Sequence, residues 1–230
     1  MNPRDQIIVA LDVGSLDKAR PLIEALAPHV GCFKVGLELI TAVGAPEVVK
    51  FVHGLGGNLF FDGKFDDIPN TIAKASKAVA SLGVKMFNVH ASCGIESMKA
   101  AVANQGNSLV LAVTVLTSHD DASARRIYGS SAKDKVLQMA RDAREAGVDG
   151  IICSPQELEI LGKDFSSFIK VTPGVRPTWA SVGDQKRVMT PREAIKAGAT
   201  ALVIGRPITS PPEEVGTPVD AVKKILEEIS

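Results

Sequence analysis

Three cysteines in 230 residues, Cys32, Cys93 and Cys153, are too few and too scattered for a disulfide framework or a cysteine-based zinc site, and they suit a reducing compartment. Aromatic residues are scarce at 4%, so a core drawn from the 45% hydrophobic content must be mainly aliphatic. Neither sign of charge is in excess: Lys plus Arg and Asp plus Glu number 26 each, which leaves no global basic field for nucleic acid. No apolar run approaches transmembrane length, and no block of like charge suggests a disordered tail. The opening residues, Met1-Asn-Pro-Arg-Asp-Gln6, lack the apolar core of a signal peptide. The expectation is a cytoplasmic protein that binds neither membrane nor nucleic acid.

What is present is an alternation. Short apolar runs at Gln6–Asp12, Cys32–Leu37, Asn58–Lys64, Val84–His90, Leu109–Leu116, Val148–Cys153, Phe168–Thr172 and Ala201–Gly205 read as eight strands. Helical patterns lie between and after them: Leu16–Ala27, Pro46–Gly54, Pro69–Leu82, Ile95–Asn104, Lys133–Ala146, Pro155–Leu161, Pro191–Ala197 and Pro218–Ile229. Ser15 suits a helix cap, and Pro69, Pro155, Pro191 and Pro218 suit first-turn positions. Strands alternating with helices imply a parallel sheet. Eight such units without a linker predict one domain over residues 1–230, an α/β single-domain (β/α)8 TIM barrel. An open doubly wound sheet is the alternative, but Gly-x-Gly-x-x-Gly is absent after the first strand.

The segment Phe60-Phe-Asp-Gly-Lys-Phe-Asp-Asp-Ile-Pro-Asn-Thr71 is the most informative. Asp62 and Lys64 are two apart at the end of an apolar strand, so they point to one face, and Asp67 follows in the turn. Folds seldom gain stability from buried charges, so this cluster points to chemistry. The other predicted strand ends carry Asp12, Lys34, His90, Thr117 with Ser118, Thr172, and Gly205 with Arg206. In such barrels that end holds the active site. Plainer roles exist for several: a helix cap for Asp12, a side chain reaching to the rim for Lys34, a structural or interface histidine for His90, a turn for Thr117.

The last two strand ends read as a phosphate site. Thr172-Pro-Gly-Val-Arg-Pro177 and Gly183-Asp-Gln185 follow the seventh strand, and Ile204-Gly-Arg206 follows the eighth. Glycine lets backbone N–H groups approach an anion, and arginine grips phosphate through a planar fork. The alternative for Arg176 or Arg206 is a loop tether. The segment from Gly174 to Thr190 has the length of a ligand lid.

The chain resembles orotidine 5′-monophosphate decarboxylases of the bacterial type nearly end to end. The resemblance is carried by Ala10-Leu-Asp12, Phe33-Lys-Val-Gly36, the block from Phe61 to Thr71, Val113-Thr-Val-Leu-Thr-Ser118, Thr172 to Pro177, Gly183-Asp-Gln-Lys-Arg187 and Val203 to Arg206. It implies cofactor-free decarboxylation of orotidine 5′-monophosphate to uridine 5′-monophosphate in pyrimidine biosynthesis, with no metal. By resemblance, Lys64 is the proton donor to C6 and Asp62 sits beside the scissile carboxylate. Asp67 and Thr71 reach the partner's site in a homodimer. Asp12 and Lys34 contact the ribose, with Lys34 also holding Asp62 or Asp67. Thr117 contacts the pyrimidine, and Arg176, Gln185, Gly205 and Arg206 hold the phosphate. The Asp-x-Lys-x-x-Asp pattern is shared with magnesium-dependent sugar-phosphate decarboxylases, but Lys34 stands where those carry an acidic residue. A phosphate-binding barrel without catalysis would need the arginines but not Lys64, and a Schiff-base aldolase would use Lys64 differently.

Overall fold

The computed structural model describes residues 2–180 and 189–230. Eight strands form a closed barrel in chain order, every neighbouring pair parallel. They are β1 (Ile7–Ala10), β2 (Cys32–Val35), β3 (Leu59–Phe65), β4 (Met86–His90), β5 (Leu109–Val113), β6 (Gly150–Ile152), β7 (Ile169–Thr172) and β8 (Ala201–Ile204). Near-continuous apolar runs make these strands because both faces are covered. Outward residues such as Val9, Phe33, Leu59, Phe87 and Val110 pack beneath the helices in one large core. Inward residues Ile8, Ala10, Cys32, Phe60, Met86, Leu111, Val171, Ala201 and Val203 fill the barrel in a second.

Helices lie between the strands, and several begin as the sequence predicts. Ser15 accepts from the Lys18 N–H at the start of Leu16–Leu26, and proline occupies the first turn of Pro69–Ser81, Pro191–Lys196 and Pro218–Ile229. Buried Ala221, Val222 and Ile225 seat the last helix.

Several boundaries differ from the sequence reading. Gln6 belongs to a 3-10 turn, Pro3–Gln6, and β1 stops at Ala10, so Asp12 lies beyond the strand. Leu37 opens a helix, Leu37–Val43, instead of closing β2; seven residues are too few to display a helical period. β3 continues through Phe65, one residue past Lys64, because it bulges. β5 ends at Val113, leaving Thr117 on the following loop. Pro155–Leu161 splits into a 3-10 turn and one α-turn, Leu158–Leu161. The helix Asp121–Tyr128 shows no apolar stripe, since it buries only Ala124.

β6 and β7 leave no room for a side chain at Gly150, which pairs with Ile169. A Cβ on Gly150 would collide with the Ile169 carbonyl oxygen and would lie 2.8 Å from the Ile169 Cβ. Gly150→Ala should therefore destabilise the barrel by about 1–3 kcal/mol. In a chain of this size that lowers Tm by roughly 2–12 °C, which a thermal melt resolves.

Candidate active site

The inward rows of the barrel change character at one end. Following the alternation upward by two residues takes Ala10 to Asp12, Cys32 to Lys34, Phe60 to Asp62, and Met86 to Asn88. Three strands, and the segment just past β1, thus deliver polar groups above an apolar floor. Lys34 Nζ lies 3.2 Å from Asp12 Oδ1 and 3.2 Å from Asp62 Oδ2, while Lys64 Nζ lies 2.7 Å from Asp62 Oδ1. The order is Asp12, Lys34, Asp62, Lys64, with charges alternating in sign along the array.

Burial is graded along it. The Asp62 side chain is 8% exposed, whereas Asp12 is 64% exposed. Burial by itself would raise the Asp62 pKa. Lys34 and Lys64, with hydrogen bonds from Lys64 and Asn88, overcome it and hold the carboxyl below its usual range. Burial likewise works against the Lys34 ammonium, and Asp62 and Asp12 reverse that and raise its pKa. The Lys34–Asp62 pair is therefore held in its charged form.

Lys64 reaches this position through an unusual backbone. Its φ is +50°, the one positive value at a non-glycine among the described residues. That left-handed conformation costs about 1–3 kcal/mol and must be held by its surroundings. Gly63 is needed beside it, since a Cβ there would lie 2.5 Å from a Phe61 ring carbon.

Two connected cavities open onto the array. One, of about 230 Å³, is lined by Lys34, Phe60, Asp62, Lys64, Val113 and Thr117 among others, and is largely apolar. The second, of about 330 Å³, contains Asp12, Lys34, Gly174, Arg176, Gly205 and Arg206. Lys34, Pro173 and Val203 belong to both, so the two form a trough from an apolar end to a cationic end. At the cationic end, burial and the neighbouring Arg206 push the Arg176 pKa down. Two guanidiniums that repel one another make a site that an anion relieves. The Arg176 N–H donates to the Met189 carbonyl at 2.9 Å, and Val175 bridges Met189, so the segment after β7 is clasped to the stretch just before the helix Pro191–Lys196.

The structure thus brings together Asp12, Lys34, Asp62, Lys64, Thr117, Arg176, Gly205 and Arg206. Gly183 and Gln185 lie outside the described residues. Asp67 and Thr71 are exposed and line neither cavity. Lys34 pairs with Asp62 and not with Asp67. Asp67 shapes the turn, its Oδ1 accepting from the Ile68 N–H at 2.7 Å and its carbonyl accepting from Ser97 Oγ at 2.9 Å. Beside it Ile68 is 65% exposed, large and apolar. His90 ends β4 half-buried, and its pKa is lowered by burial, opposed by Asp66. The residue the sequence reading missed is Asn88, whose Nδ2 donates to Asp62 Oδ1 at 2.7 Å. Its signal was a lone amide on the inward face of Met86-Phe-Asn-Val-His90.

Comparison with known proteins agrees with this geometry. The family model described as "Orotidine 5'-phosphate decarboxylase / HUMPS family" matches residues 5–225. A protein of Moorella thermoacetica named orotidine 5′-phosphate decarboxylase is 46% identical, over 100% of this chain and 94% of its own length. One of Syntrophomonas wolfei with the same name is 43% identical, over 100% and 99%. The crystal structure of orotidine 5′-phosphate decarboxylase from Lactobacillus acidophilus superposes with a TM-score of 0.84 at 34% identity, covering 97% of this chain and 98% of that one. An uncharacterized conserved protein from Geobacillus kaustophilus gives 0.81 at 30% identity, covering 97% and 100%. Barrel, charged array and full-length similarity converge: the chain belongs to the orotidine 5′-phosphate decarboxylase / HUMPS family.

Proposed function

We propose that this chain decarboxylates orotidine 5′-monophosphate to uridine 5′-monophosphate, without metal or organic cofactor, as a cytoplasmic homodimer. The observation that carries the reading is the Asp12–Lys34–Asp62–Lys64 array of ion pairs at the junction of an apolar and a cationic cavity. A nucleotide has the matching polarity: a flat base for the apolar end at Val113 and Thr117, a ribose for Asp12 and Lys34, and a phosphate for Arg176, Gly205 and Arg206. Gln185 joins that phosphate grip by resemblance.

The chemistry follows from charge. As the bond from C6 to the carboxylate breaks, the electron pair stays on C6 with no adjacent π-sink. The Lys64 ammonium stabilises that pair and delivers a proton to C6, leaving a neutral amine that solvent reprotonates. Asp62 adds repulsion against the substrate carboxylate. Two unit charges 4 Å apart repel by about 4 kcal/mol at an effective dielectric near 20. Relieved entirely in the transition state, that is worth at most about a thousandfold in rate. Phosphate binding far from C6 supplies orientation.

Dimerisation completes the reading. Asp67, on the turn beside exposed Ile68, and Thr71, in the first turn of the helix Pro69–Ser81, are exposed and line neither cavity of their own chain. In a two-fold assembly such a turn enters the other subunit's site.

Three outcomes are expected. Purified protein in EDTA should convert orotidine 5′-monophosphate, followed by loss of pyrimidine ultraviolet absorbance, and Lys64→Ala should abolish turnover. A reaction that stops in EDTA would point instead to magnesium-dependent sugar-phosphate chemistry.

Mixing Lys64→Ala with Asp67→Ala, each inactive alone, should restore about a quarter of wild-type activity, since half the dimers then hold one intact site of two. No recovery after verified subunit exchange would remove Asp67 from the partner's site.

Asp62 has a depressed pKa, so the stability it contributes is present above the unfolded value, about 3.9, and is lost as pH falls through the lower folded value. Relative to Asp62→Asn, the wild type should lose stability below about pH 4, and paired thermal melts across that range measure the difference.

A further inference from the structure

β3 and β4 do not run in simple register through the site. Phe61 pairs with Phe87 and Phe65 with Val89, so Asp62, Gly63 and Lys64 stand opposite the single residue Asn88. A bulge of this kind strips ladder bonds from the displaced backbone. Here a side chain replaces them. Asn88 Oδ1 accepts from the Lys64 backbone N–H at 2.7 Å, and Asn88 Nδ2 donates to Asp62 Oδ1 at 2.7 Å. The peptide N–H can only donate and the ionised carboxylate can only accept, so the two partners fix the orientation of the amide. Asn88 is 0% exposed, and water does not compete for either bond.

We propose that Asn88 is a positioning residue for the reaction. Its amide clamps the bulge, holding the Lys64 backbone at positive φ and the Asp62 carboxylate in one rotamer, so that ammonium and carboxylate meet the substrate at a set spacing. The inference rests on the decarboxylase reading above. A leucine of similar size would fill the same space on the barrel's inner face without needing partners; the amide is informative because each of its two groups is used by a residue of the site. Without it, Lys64 loses the bond that holds its left-handed backbone. Asp62 still has Lys34 and Lys64, so the charges remain paired while their geometry loosens. Val113, Thr117, Arg176 and Arg206 lie outside the clamp, so ligand binding through base and phosphate is left intact.

The test compares full-length wild type, Asn88→Ala and Asn88→Asp by kcat and KM for orotidine 5′-monophosphate, affinity for uridine 5′-monophosphate, and thermal melting. Asn88→Ala should lower kcat by roughly tenfold to a hundredfold, as expected of a misplacement near 1 Å. Product affinity should stay within about twofold. Asn88→Asp separates the two bonds. Protonated, the new carboxyl accepts from the Lys64 N–H and donates to Asp62; ionised, it repels Asp62. Its neighbours are Asp62 and Lys64 on β3, Lys34 on β2 across Asp62, and His90 on its own strand, while β5 (Leu109–Val113) offers no titratable group. This variant should approach wild-type kcat at low pH and lose it as pH rises, a limb the wild type lacks. An unchanged kcat in Asn88→Ala, or product affinity falling together with kcat, would overturn the proposal. Should Asn88→Ala not fold, the pH limb of Asn88→Asp decides: its presence supports the clamp and its absence ends it. A wild type that leaves orotidine 5′-monophosphate unchanged would overturn the decarboxylase reading itself, and the clamp with it; an active wild type with indifferent variants would overturn the clamp alone.

Discussion

Everything at the open end of this barrel depends on keeping one carboxylate charged inside protein. Asp62 is nearly excluded from water, and an isolated carboxylate there would take up a proton. It stays ionised because Lys34 contacts one oxygen while Lys64 and Asn88 contact the other. Each donor comes from a known place in the sheet: Lys34 from β2, Lys64 from the bulge of β3, Asn88 from β4. A closed parallel barrel is what allows adjacent strands to bring such groups to one point at one height. The inner core of Ile8, Phe60, Met86, Leu111 and Val203 beneath them is the platform that fixes that height.

On the proposed decarboxylase reading, the array accounts for a site that both binds and activates a nucleotide. Alternating charges largely cancel one another, so the centre exerts little net pull on a distant anion. The two arginines at the far end of the trough provide that pull. In that reading recognition and chemistry are divided in space: the strong attraction acts on the phosphate, and the reacting group enters a field already arranged for charge movement.

Much of this was readable from the residues. Alternating apolar runs and helical stripes predicted the barrel, and the strand ends of such a barrel gathered Asp12, Lys34 and Asp62. Arg176 and Arg206 were readable because glycine and arginine after the last two strands have few other uses in this fold. Asn88 left a signal too weak to assign, because a single asparagine in an apolar strand has many roles, and its role here depends on a bulge in another strand. That bulge in turn follows from the left-handed backbone at Lys64, which no local propensity favours. The helix Leu37–Val43 was missed for a different reason: its apolar residues run on from β2 with only Gly36 between them. Asp67 and Thr71 could be singled out by resemblance, yet a lone subunit leaves them pointing at solvent.

The clasp between Val175 and Met189 also bears on how an anion is met. Arg176 follows directly on Val175, and its N–H donates to the Met189 carbonyl, so its guanidinium leaves a backbone already tied to a second segment of the chain. An arginine anchored in this way has less freedom to lose when a ligand arrives than one carried on an untethered backbone. Preorganisation of that kind is affinity gained without a new contact.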